Sequence, residues 1–114
     1  MNPSAPPKLT RDEVEALIEG PASSRLATVA LSVAIHADDL LWAEEVCCRL
    51  AANGDAQVRG NALTGFAHLA RRFHDLSYIA IALVQAGEQD PDPFVKQQAA
   101  AALAELKRSL RPQR

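Results

Sequence analysis

The sequence predicts an all-α fold of six helices joined by short connections into about three hairpins. Three observations carry this. Alanine is abundant and aromatic residues make up only 4% of the 114 residues, a balance that favours helices packed at close range over sheet. Apolar residues recur at three- and four-residue spacing between evident caps, and no segment sustains period-two alternation. Part of the pattern then repeats along the chain.

The elements follow in order. Thr10 and Glu13 have capping-box spacing ahead of Val14, Leu17 and Ile18, and Gly20-Pro21 stops this first helix. Ser23 or Ser24 is expected to cap a second helix carrying Leu26, Val29, Ala30, Val33 and Ala34. Asp38 or Asp39 caps a third, with Trp42, Val46, Cys47 and Leu50 inward, ending at Asn53-Gly54. Asp55 caps a fourth, whose apolar stripe is Val58, Ala62, Phe66, Leu69 and Phe73. Asp75 is expected to open a fifth through Ile79, Leu83 and Val84 to Gly87. Asp92 caps the sixth, with Pro93 at the first helical position, where its missing N–H costs nothing, and with Val95, Ala99, Leu103, Leu106 and Leu110 inward. On this reading residues 1–8 form a disordered N-terminal tail, 9–110 the helical domain and 111–114 a C-terminal tail.

The net charge of -2 and the ordinary share of charged residues, 23%, describe neither a nucleic-acid-binding protein nor a membrane-surface one. No apolar run approaches the roughly 18 residues of a membrane span, and the proline-rich start lacks the apolar centre of a secretory signal. Cys47 and Cys48 are neighbours and point about 100° apart on a helix, which disfavours a disulfide between them. A cytoplasmic protein with reduced thiols is therefore expected.

The repeat has an offset of 37 residues, Asp55 standing against Asp92. Val58 then meets Val95, Arg59 meets Lys96, Ala62 meets Ala99, Phe66 meets Leu103 and Leu69 meets Leu106; Trp42 falls on Ile79 and Val46 on Leu83. The first hairpin fits poorly, as terminal repeats do. The segment Asp55-x-x-Val58-Arg59-x-x-Ala62-x-x-Gly65-Phe66-x-x-Leu69 resembles the second-helix signature of HEAT repeats, and Asp92-x-x-Val95-Lys96-x-x-Ala99-x-x-Ala102-Leu103-x-x-Leu106 resembles it again. The resemblance covers about residues 38 to 110, and more narrowly the chain is similar to small single-domain bacterial HEAT proteins. It implies a HEAT-like right-handed solenoid in which small Gly65 and Ala102 allow close helix approach.

The resemblance also implies where a partner would sit. In such a stack the second helix of each hairpin lines a concave face. That places Asn61, Thr64, His68, Arg71 and Arg72 on the fourth helix, Gln98, Glu105 and Arg108 on the sixth, and Arg25 and Ser32 on the second, in one polar groove. The fifth helix is apolar almost all round, so Tyr78 and Ile81 form a candidate self-association or partner patch. Trp42 is expected to be buried between hairpins, and the acids of the first and third helices, Glu44 and Glu45 among them, to be solvated. His36, His68 and His74 lack metal-ligand spacing. No glycine-rich phosphate loop, nucleophile elbow or metal motif is present. The expectation is a non-catalytic scaffold without cofactor that docks a protein partner through the groove, the partner being an adaptor's client, a toxin or a second copy. The alternative is an immunity or inhibitor protein that neutralises a bacterial toxin; behind both stands a HEAT-like nucleic-acid-binding, lyase or glycosylase-related protein.

Overall fold

The protein is described here from a computed structural model covering residues 6–111. The expected tails beyond these limits, 1–5 and 112–114, lie outside the described residues. Six helices follow one another: α1 (Arg11–Glu19), α2 (Leu26–His36), α3 (Leu40–Ala51), α4 (Ala56–Phe73), α5 (Tyr78–Gly87) and α6 (Pro93–Ser109). The described residues contain no strand, and no helix among them is long and apolar enough to cross a membrane.

Local chemistry places most helix ends. The Thr10 hydroxyl accepts from the Glu13 N–H at 3.1 Å while the Glu13 carboxylate accepts from the Thr10 N–H at 3.0 Å, a complete capping box. Asp39, Asp55 and Asp92 each accept first-turn N–H groups of α3, α4 and α6. Two starts differ from expectation. Ser23 caps a turn rather than α2: its hydroxyl accepts from the Arg25 N–H and its carbonyl from the Leu26 N–H, so the helix begins at Leu26 with no side-chain cap. For α5 the cap is Ser77, not Asp75, with its hydroxyl accepting from the Ala80 N–H at 3.2 Å.

The 37-residue correspondence extends to the turns. Asn53 Oδ1 accepts from the Asp55 N–H at 2.8 Å, and Asp90 Oδ1 accepts from the Asp92 N–H at 2.9 Å, so equivalent residues build equivalent turns ahead of α4 and α6. Arg59 ties the two turns together. Its guanidinium forms a bidentate pair with Asp90, both bonds at 3.0 Å, and donates to the Asn53 and Gly54 carbonyls at 3.1 and 2.9 Å.

The helices form two layers. α4 lies between α2 and α6 in one, while α3 and α5 belong to the other and α1 packs beside α2. Val14, Val29, Val33, Val46, Leu50, Val58, Phe66, Leu69, Val84, Val95 and Leu106 fill the space between. Because α4 has neighbours on several sides, Gly65, Ala67 and Ala70 are buried as well as its expected stripe. Gly65 is the tightest point of the α2–α3–α4 junction. A Cβ there would lie 2.9 Å from Cys47 Sγ and 3.3 Å from the Ala30 carbonyl oxygen.

Three expectations about burial are corrected. Trp42 is half-buried at the edge of the core, with the Arg11 guanidinium 4.8 Å above its ring. Its repeat counterpart Ile79 is 68% exposed, because α5 turns its narrow edge of Ala80, Val84 and Gly87 inward instead. Conversely Glu44, expected in solvent, is only 6% exposed. Its carboxylate accepts from both the N–H and the hydroxyl of Ser77, at 3.1 and 2.6 Å, and so caps α5 from α3.

Two outcomes are expected in urea unfolding at unchanged m. Gly65→Ala lowers stability although it improves helix propensity by about 1 kcal/mol, and Gly65→Val lowers it further, by about 1–3 kcal/mol or more, since the Ala30 backbone cannot yield. Glu44→Ala removes the acceptor of both Ser77 donors at a cost of about 0.5–1.5 kcal/mol, and Glu44→Gln, which retains an acceptor, costs less.

Candidate functional site

The sequence assigns a polar groove to the α2–α4–α6 layer, and the structure shows how those residues are engaged. Between α2 and α4, Asn61 donates to the Ala27 carbonyl and Arg72 to the Ala34 carbonyl at 2.8 Å. Between α4 and α6, the Thr64 hydroxyl donates to Gln98 Oε1 at 2.8 Å, and Arg71 reaches Glu105 Oε1 at 3.1 Å. Arg108 and the Ser109 hydroxyl also donate to Glu105, at 3.2 and 2.5 Å. These side chains thus form a ladder of ties across parallel helices, and their hydrogen-bonding capacity is largely spent on one another.

The structure brings Asn61, Thr64, His68, Arg71, Arg72, Gln98, Glu105 and Arg108 onto this shared face. It does not bring Arg25 or Ser32 there. Arg25 is exposed at the start of α2 and lines a shallow cleft with Glu13, Ala16 and Leu17 of α1. Ser32 is buried, and its hydroxyl has no hydrogen-bond partner among the described residues. It lines a cavity of about 250 Å³ on the α1–α3 side, with Lys8, Arg11, His36, Asp39 and Trp42. His36 closes one wall of that side by donating from Nε2 to the Pro6 carbonyl at 2.9 Å.

The charges most exposed on the inner face are cationic. Arg71, Arg72 and Arg108 are exposed, whereas Glu105 is only 14% exposed and held by its three partners. The Ser109 hydroxyl, followed by the Arg108 and Arg71 guanidinium groups, lowers its pKa to about 2. His68 is half-buried between these groups, and burial followed by the Arg71 charge moves its pKa down, favouring the neutral ring.

Other reactive groups are restrained. Cys47 and Cys48 are free, and burial raises both thiol pKa values, with Glu44 adding to the effect. Neither is poised as a thiolate nucleophile. Among the described residues no three of histidine, cysteine, aspartate and glutamate are gathered as metal ligands.

A second surface is less legible in the sequence. The large apolar side chains most open to solvent among the described residues are Leu41, Tyr78 and Ile79, at 77%, 76% and 68% exposure. Leu41 and Tyr78 occupy equivalent positions of the 37-residue repeat. Of the expected α5 patch, Tyr78 is thus in the open and Ile81 is half-buried against the core. Leu41 was missed, although one signal was available. Leu40, Leu41 and Trp42 are consecutive, and residues spaced about 100° apart on a helix cannot all face one core.

These surfaces belong to a protein whose described elements are all helices. Nearly the whole chain is similar in structure to a chain of the CDI complex from Cupriavidus taiwanensis LMG 19424. The TM-score is 0.80 at 27% sequence identity, covering 96% of this chain and 97% of that one. No family model and no curated protein matches the chain.

The depressed Glu105 pKa has a direction in stability. Above the ordinary value of 4.5 the carboxylate is charged in folded and unfolded chains alike, and its ties contribute fully; as pH falls toward about 2 the unfolded chain binds the proton first and that contribution is lost. Thermal melts across this window should show a shallower acid decline for Glu105→Gln than for the wild type.

Proposed function

We propose that this chain is a non-catalytic immunity-type protein that neutralises a bacterial toxin by docking onto it. The observation that carries this reading is the full-length structural likeness to a chain of a CDI complex. CDI stands for contact-dependent inhibition, and a complex of that kind fits a chain that holds a toxin in check by binding it. A likeness spanning both chains almost end to end concerns the whole molecule rather than a shared motif.

The side-chain chemistry supports the inhibitor's part over the toxin's. Catalysis needs a nucleophile with its base, or convergent acid and base groups. Here the thiols are suppressed and Glu105 is tied by three donors. Binding requires only complementary surfaces, and the chain offers two, a cationic inner face and an apolar outer one. The equivalent turns at 53–55 and 90–92 support reading the fold as a HEAT-like stack, a scaffold that presents such faces on rigid helices. The reading also fits a reduced, cytoplasmic setting.

The test is a titration of the purified chain with the toxin domain encoded beside its own gene, paired with growth of cells expressing that toxin. A one-to-one complex with Kd of about 10 nM or tighter, together with restored growth, is expected. Absence of binding refutes the immunity reading. Binding without protection would instead leave a scaffold that tolerates an active toxin.

A further inference from the structure

The outer surface around Leu41 and Tyr78 has the chemistry of an interface. Leu41 lies one turn before Glu44 on α3, and the Glu44 carboxylate holds Ser77, the residue immediately before Tyr78. The two exposed apolar side chains therefore flank one seam between α3 and α5, fixed by the part-buried Glu44–Ser77 hydrogen bonds. Exposed Ile79 extends the same first turn of α5. Exposed aromatic and aliphatic groups on rigid helices are the kind of anchor that dominates protein interfaces.

Acidic groups predominate around this seam, with exposed Lys8 near Asp38 at its margin. Asp38, Glu45 and Asp75 are exposed beside it. α5 carries no charged residue, and the one cation of α3, Arg49, is paired with Glu15 of α1 at 2.8 Å. Arg11, on the flank, is likewise paired, with Asp39 at 2.6 Å. The surface is thus an apolar centre with an acidic rim.

Resting on the immunity-type reading, we infer that this α3–α5 seam is the toxin-docking surface, and that its occupant is a toxin domain with a basic, nucleic-acid-binding face. A domain that acts on nucleic acid carries lysines and arginines for the phosphates. An acidic rim attracts that face and steers its approach. The inner face suits it less, because its exposed charges are the guanidinium groups of Arg71, Arg72 and Arg108, the first and last of them paired with the shielded Glu105. A second copy of this chain is a poorer occupant, since a two-fold contact would set acidic rim against acidic rim.

The experiment is calorimetry and stopped-flow association with the toxin domain encoded beside this chain's gene. It compares wild type, Leu41→Ala with Tyr78→Ala, Glu45→Lys with Asp75→Lys, and the inner-face pair Arg71→Ala with Arg108→Ala, each checked for helicity. The apolar pair should weaken Kd about 100-fold. The charge-reversed pair should slow association about 10-fold and flatten its salt dependence. The inner-face pair should stay within about 3-fold of wild type. Tight wild-type binding that both outer variants leave intact overturns this inference and spares the immunity reading. Wild type that fails to bind overturns both. A wild-type dimer that Leu41→Ala with Tyr78→Ala dissociates without changing toxin affinity makes the seam a self-association site and also overturns it.

Discussion

Everything in this fold is arranged around α4, a helix that must touch neighbours on several sides at once. That is possible only where its side chains are small. Gly65 lets α4 approach the Ala30 carbonyl and the Cys47 sulfur together, and buried Ala62, Ala67 and Ala70 keep the rest of the helix slim. With α4 so enclosed, α2 and α6 are held beside it and α3 and α5 lie across it. Large residues such as Phe66 and Leu69 then fill the space between layers rather than pushing the layers apart.

Polar groups supply what small residues cannot. Close packing sets the distance between helices, while directional bonds set which turn meets which. Arg59 joins the turns ahead of α4 and α6. Glu44 joins α3 to the start of α5. The inner ladder of Asn61, Arg72, Thr64 and Arg71 aligns the three parallel helices. A polar groove expected to be free for a partner is in this way partly a structural seam, whereas the fold leaves Leu41, Tyr78 and Ile79 exposed on the outer surface.

The same division orders the charges. Guanidinium groups are the exposed charges of the inner layer, while carboxylates collect on the outer one, around Leu41 and Tyr78. A molecule near neutrality overall, with a net charge of -2, can therefore present two faces of opposite character. Net charge describes the whole chain, whereas a partner meets one side of it.

Much of the architecture was legible without coordinates. Local rules act within one turn of chain, so the Thr10–Glu13 box, the Asp39, Asp55 and Asp92 caps, Pro93 at a helix start, and the stripes of α4 and α6 were all determined by neighbours in sequence. What the sequence left open depended on groups far apart along the chain. Glu44 is buried because Ser77 comes to meet it, Ile79 is exposed because α5 turns its alanine edge inward, and Ser32 leaves the expected groove for the other side of α2. Spacing along one helix specifies which residues share a face, but the rotation of that face toward core or solvent is decided by the helices packed around it.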